Sequence, residues 1–163
     1  MLKYVSYDIV FQEIPDEVTL AINLSNCPNH CSGCHSPYLM ENVGIPLTEE
    51  ILDTFLENYN GEVSCICFMG GDAAPHEVER LAKYLHKQMA KQGGIKVGWY
   101  SGKSKLPEDI DITCFQFIKL GPYIEHLGSL KSPTTNQKLY KVSASNKLCD
   151  ITYSFWGAKS IIS

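Results

Sequence analysis

The feature that most restricts the fold is the run at residues 63–69 (VSCICFM), an uninterrupted apolar stretch with a helical pattern on either side. A strand with no polar alternation is buried on both faces, and such strands belong to parallel sheets covered by helices. Ahead of it, Thr48 serves as a helix N-cap, and Glu49 and Glu50 suit the positive helix end. Ile51, Leu52, Phe55, Leu56 and Tyr59 then recur at helical spacing until Asn60-Gly61 ends the helix. Behind it come Gly70-Gly71-Asp72 and then Pro75, which opens a second helix in its favoured first-turn position. Val78, Leu81, Ala82, Leu85 and Met89 form its apolar stripe, Lys83, Lys87 and Lys91 lie toward its C-terminal end, and Gly93-Gly94 stops it. Residues 95–100 (IKVGWY) read as the next strand.

Two further strands precede this unit, at residues 3–11 and 18–24 (VTLAINL), with a turn at Asp16-Glu17. Residues 36–46 read as loop, broken by Pro37, Gly44 and Pro46. Beyond it, 107–111 is an acidic turn, and 113–120 (TCFQFIKL) and 139–143 (LYKVS) are strands. From residue 18 to residue 100 the order is βαβαβ, which predicts parallel strands joined by right-handed crossovers. With no repeat or linker, the 163 residues are expected to form a single domain, 1–163, the tail at 149–163 being the least defined part. A closed eight-fold barrel needs about 250 residues. The length therefore predicts an α/β fold with a partial, open (β/α) barrel of mostly parallel strands, its functional loops at the strands' C-terminal ends.

Composition enters by exclusion. A net charge of −4 lacks the electrostatic footprint of a nucleic-acid binder. No apolar run approaches a membrane span, and Met1-Leu2-Lys3-Tyr4 reaches polar sequence too soon for a secretory signal. A cytoplasmic protein is expected. Seven Cys in a reducing compartment read as ligands or core residues rather than disulfides.

Three of those Cys stand together in Cys27-Pro28-Asn29-His30-Cys31-Ser32-Gly33-Cys34-His35, a C-x3-C-x2-C run. Pro28, Asn29, Ser32 and Gly33 are turn residues, so the segment is built to curl and bring the thiolates together. A four-iron cluster normally takes four Cys thiolates. Three within eight residues imply a cubane with one iron open to a small molecule. The alternative is a zinc site completed by His30, His35 or a distant Cys, but no second ligand pair of zinc spacing follows.

The same run, placed after a short apolar strand, resembles the signature of the radical S-adenosylmethionine (SAM) enzymes. Asn26 to Cys31 and Gly33-Cys34-His35 are similar to words in the activating proteins of anaerobic, class III, ribonucleoside-triphosphate reductase. The resemblance implies the radical SAM barrel type and a 4Fe-4S cluster on Cys27, Cys31 and Cys34. SAM would bind the open iron. Gly33 stands where many of these enzymes have an aromatic residue beside the adenine, so His35 or backbone groups would serve there.

Gly70-Gly71-Asp72 resembles the family's Gly-Gly-Glu motif at the SAM amino group, with Ala73-Ala74 where Pro often follows. Trp99-Tyr100-Ser101-Gly102 resembles a Tyr-Thr-Gly word, which would turn Ser101 to the ribose or methionine of SAM. Ser132 to Gln137 resembles a Ser-Asn-Gln-Arg segment, with Lys138 for the Arg, and this implies a ligand or partner contact for Asn136. Gly121 to Glu125 loosely matches an Asp-Gly-Arg/Lys-Phe word. A plain turn, a core strand end and a polar surface turn are the structural alternatives for these words.

What the resemblance implies is an oxidoreductase that cleaves SAM reductively and generates a glycyl radical on the reductase, fed by a low-potential donor such as a flavodoxin. An activase of another glycyl radical enzyme, such as pyruvate formate-lyase, and a non-catalytic zinc module are the rivals. Cys65, Cys67, Cys114 and Cys149 are expected to be apolar core residues, and His76, His86 and His126 surface residues.

Overall fold

The computed structural model describes residues 2–27, 41–59, 61–92 and 94–156. Its strands are β1 (Lys3–Val10), β2 (Thr19–Leu24), β3 (Ile45–Pro46), β4 (Cys65–Met69), β5 (Lys96–Tyr100), β6 (Phe117–Leu120), β7 (Lys138–Val142) and β8 (Leu148–Asp150). Two α-helices, α1 (Glu49–Tyr59) and α2 (Pro75–Gln92), precede β4 and β5. All eight strands join one open mixed sheet in the order β3-β1-β2-β4-β5-β6-β7-β8.

The expected βαβαβ unit is present, and its pairings β2–β4 and β4–β5 are parallel, as is β5–β6. The prediction that most strands are parallel is corrected. The outer pairings β3–β1, β1–β2, β6–β7 and β7–β8 are all antiparallel. Connection length accounts for two of these pairings, β1–β2 and β7–β8. A parallel return takes a crossover of a dozen or more residues, whereas 11–18 and 143–147 are hairpin-length links. The antiparallel flanks enclose a parallel centre, making the fold α/β.

Three local differences have plain causes. Residues 45–46 pair with β1 at the sheet edge, where Pro46 is tolerated because it owes no ladder hydrogen bond outward. Only 117–120 of the strand expected at 113–120 is strand; Ile112–Cys114 is a 3₁₀ turn. There the Asp111 carboxylate caps the turn by accepting from the Thr113 amide at 2.9 Å and its hydroxyl at 2.5 Å. β8 carries no periodic pattern and is exposed throughout.

Alternation sorts the central strands onto two cores. Leu20, Ile22, Ile66, Phe68, Val97, Trp99 and Ile118 face α1 and α2, meeting Leu52, Phe55, Val78, Leu81 and Leu85. Thr48 caps α1 as expected, its hydroxyl accepting from the Ile51 amide at 3.3 Å. Cys65, Cys67, Phe117 and Leu139 face the other way and are covered by Ile14 and Leu130. Ile14 seats deeply: a Cβ on Gly98 would fall 2.8 Å from its Cδ1, so this glycine is what admits the plug.

Candidate functional site

Register builds the site. Across five strands, Asn23 is level with Met69, Met69 with Tyr100, Tyr100 with Lys119, and Lys119 with Leu139. This is the last row on the helix-free face before the parallel strands end. Immediately beyond it the chain turns out at Ser25-Asn26-Cys27, Gly70-Gly71-Asp72, Ser101-Gly102 and Gly121-Pro122, and it re-enters through Asn136-Gln137. Cys27, Gly70, Gly71, Asp72, Ser101 and Asn136 thus share one end of the sheet. Cys31, Cys34 and His35 lie outside the described residues.

Cys27 sits at a closed neck. The Asn26 amide donates to the Glu41 carbonyl at 2.9 Å, and the Ser25 hydroxyl to the Val43 carbonyl at 2.5 Å. The Ser25 amide reaches back to Lys3 at 3.0 Å. Asn26 turns the chain out with φ 59°, a left-handed conformation that asparagine tolerates better than most residues. Asn26 is therefore held to Glu41 and Ser25 to Val43, and Cys27 beside them is half-buried. A small cavity of about 100 Å³, bordered by Ser25, Asn26, Asn42, Gly71 and Ala73, lies beside this neck.

The Gly-Gly turn is fastened from below. Trp99 Nε1 donates to the Gly70 carbonyl at 2.7 Å, and the indole stacks on Phe115 at 5.5 Å. Gly70 and Gly71 have φ 106° and 86°, so both positions require glycine for backbone reasons. A side chain on Gly71 would point into the core, its Cβ 2.6 Å from Val78 Cγ2 and 3.0 Å from Leu24 Cδ1. Packing, rather than a ligand near this Cα, is what excludes a side chain at Gly71. Ligand contact at this turn is left to peptide groups and Asp72.

Asp72 Oδ1 accepts from the Ser101 hydroxyl at 2.5 Å and its Oδ2 from the Gly102 amide at 2.8 Å. Ser101, 1% exposed, also accepts from the Lys103 amide at 3.1 Å. Its hydroxyl orients Asp72. Next to it, the buried Lys119 ammonium donates to the Ser101 carbonyl at 3.1 Å and the Gly121 carbonyl at 2.8 Å. Asn136 Nδ2 donates to the Pro122 carbonyl at 3.0 Å, while its Oδ1 is buried and meets no donor among the described residues. An acceptor left bare in this way suits a ligand donor.

The remaining thiols divide. Burial pushes Cys65 up to about 12, with the Glu17 carboxylate adding to the effect. Burial likewise raises Cys67 well above the ordinary thiol range, and Cys114 to about 12. A group held protonated is a poor thiolate ligand. Cys149 corrects the expectation of an apolar setting: it is exposed on β8. His76, His86 and His126 are exposed, with His76 2.8 Å from Asp109.

Among the described residues no three His, Cys, Asp or Glu side chains gather as a metal site, and no helix is long and apolar enough to cross a membrane. Lys119 and Trp99 were not singled out for these roles by sequence; a lone cation in the apolar run FQFIKL was the available signal. Comparison of the chain with known families, with curated proteins and with solved structures finds no match in any of the three.

Proposed function

We propose that this chain is a radical SAM activating enzyme that generates a glycyl radical on an anaerobic ribonucleoside-triphosphate reductase. The observation that carries the reading is the convergence of Cys27, Gly70-Gly71-Asp72, Ser101 and Asn136 at the C-terminal end of one parallel block. Catalytic loops of (β/α) barrels occupy that end. In this reading the open sheet is a partial barrel of the radical SAM type.

The residues fit the cofactors. Cys27, Cys31 and Cys34 would hold a 4Fe-4S cluster; the protonated thiols of Cys65, Cys67 and Cys114 are unsuited to it. When bound, the cluster supplies the electron that cleaves SAM, and a low-potential donor such as a flavodoxin in the cytoplasm would replenish it. The Asp72 carboxylate, held on both oxygens by Ser101 and Gly102, is oriented to receive an ammonium group. The carbonyl oxygen of Asn136 accepts a donor from the ligand, and His35 or neighbouring backbone serves the adenine. Thr134 to Lys138 and Gly121 to Glu125 form the rim at which the reductase docks.

Anaerobic reconstitution with iron and sulfide, read by absorbance and EPR, is the test. About four irons per chain are expected, with an EPR signal of the reduced cluster that changes when SAM is added. Cys27→Ala, Cys31→Ala and Cys34→Ala should each lose the cluster, and Cys65→Ala, Cys67→Ala, Cys114→Ala and Cys149→Ala should keep it. A protein that binds zinc and assembles no cluster would overturn the reading.

A further inference from the structure

β6 is an apolar strand with one cation in it, and the position of that cation is specific. Lys119 follows Ile118, which faces the helices, so its side chain rises on the opposite face, level with Tyr100. It is 8% exposed, and its Nζ lies 5.9 Å from the centre of the Tyr100 ring. Burying an ammonium is costly unless donors find acceptors. Here two acceptors are backbone carbonyls from two different strand-end loops, Ser101 and Gly121.

Those two loops carry the ends of the candidate site. From Ser101 the chain of contacts runs through its hydroxyl to Asp72. From Gly121 it runs to Pro122, whose carbonyl holds Asn136 Nδ2. The Gly121 amide also donates to the Lys103 carbonyl at 2.7 Å, closing the two loops on each other. Gly121 itself leaves little room, since a Cβ there would lie 3.1 Å from Gln137 Cα. Lys119 is the one side chain that bonds directly to both loops in this set of contacts.

We propose that Lys119 is a positioning residue: its buried ammonium clamps the β5 and β6 loops together, so that Asp72 and Asn136 act as one preorganised ligand cradle. The clamp rests on the functional reading above in naming SAM as the ligand. It requires no contact between Lys119 and SAM. A charged donor on two carbonyls is stronger than a neutral one, and it is shielded from water here, so the loops are fixed before ligand arrives.

The test compares full-length Lys119→Met with wild type, both anaerobically reconstituted. Native-state hydrogen exchange should rise about tenfold or more at Gly102, Lys103 and Gly121, while amides of β2, β4 and α1 keep their protection. SAM affinity, read by calorimetry, should fall about tenfold, the loss of one charged hydrogen bond's worth of binding, at unchanged iron content. Adding Ser101→Ala to Lys119→Met should cost much less affinity than Ser101→Ala alone, because the loop is already released. A uniform rise in exchange, or additive losses in the double variant, would mean that Lys119 merely supports the fold and would overturn the clamp. Where Lys119→Met does not fold, Lys119→Gln retains a neutral amide donor and should give an intermediate effect at the same amides. If wild type with full iron content binds no SAM, the functional reading fails, and the exchange result alone decides for or against the clamp.

Discussion

The Ser101 hydroxyl lies 2.5 Å from Asp72 Oδ1, so the loop after β5 sets the direction of a carboxylate in the loop after β4. The Gly102 amide completes the grip on Oδ2 at 2.8 Å. Ser101→Ala removes the hydroxyl and leaves a half-buried carboxylate with one donor fewer. We expect a stability loss of about 1–3 kcal/mol, the usual worth of a hydrogen bond to a charged group. SAM affinity should fall with it. Urea unfolding and calorimetric titration check both, and unchanged affinity would show that Asp72 does not depend on this grip.

The two glycines of the turn should respond differently. Gly70→Ala has room, its nearest neighbour being the Leu24 carbonyl oxygen at 3.4 Å, and should cost only the left-handed backbone, about 1–2 kcal/mol. Gly71→Ala meets Val78 at 2.6 Å as well and should cost about 2–5 kcal/mol. Gly71→Val should be worse and should lower iron content and SAM binding together, because the fold yields first. Thermal denaturation of the two alanine variants orders them; equal losses would place Gly71 outside the core.

Alkaline stability follows from the buried thiols. Cys65 and Cys114 titrate near 12 in the native state, against about 8.5 for an unfolded thiol. Below pH 8 both states hold the proton and nothing is lost. Above pH 9 the unfolded state releases protons that the native state retains, so stability falls as pH rises, by about 1.4 kcal/mol per pH unit per thiol. Urea unfolding of the iron-free, reduced protein at pH 8 and pH 10 should show the decline. Cys65→Ala should make it shallower by about one proton's share. In native protein at pH 8, an alkylating reagent should modify Cys149 ahead of Cys65 and Cys67, since the former is exposed and the latter two are fully buried.

Much of this was readable from residue pattern because local chemistry and tertiary need agree in the βαβαβ unit. VSCICFM could only be a strand covered on both faces, and Thr48, Pro75 and Gly61 mark turns and ends where the backbone needs them. The antiparallel flanks were not readable, because whether β7 returns beside β6 depends on pairings made between distant segments. Thr113 and Cys114 read as strand although they lie in a 3₁₀ turn: their residue types fit either state, and Asp111 decides through a side-chain cap. At the site, residue types pointed to candidate side chains. They did not show that Ser101 serves Asp72, or that Gly71 faces Val78, since both depend on how two loops from different strands meet.

The open edge leads to the last prediction. Ile14 and Leu130 fill the lower part of the helix-free face, against Cys67 and Phe117. Above that plug the row of Asn23, Met69 and Tyr100 is only partly buried, and the sheet ends in the edge strands β3 and β8 without closing. Radical chemistry needs exclusion of water and stray hydrogen donors. If the proposed function holds, the described residues leave this row partly open, and a loop of the protein substrate would complete its cover. The isolated, reconstituted protein should therefore cleave SAM slowly and without a coupled product. Adding an anaerobic ribonucleoside-triphosphate reductase should produce a glycyl radical doublet in the EPR spectrum, and changing the target glycine of that reductase to alanine should abolish it. Asn136→Ala, at the rim beside Pro122, should reduce the doublet several-fold while iron content stays at the wild-type level. Fast turnover of a small-molecule substrate with no protein partner present would rule this arrangement out.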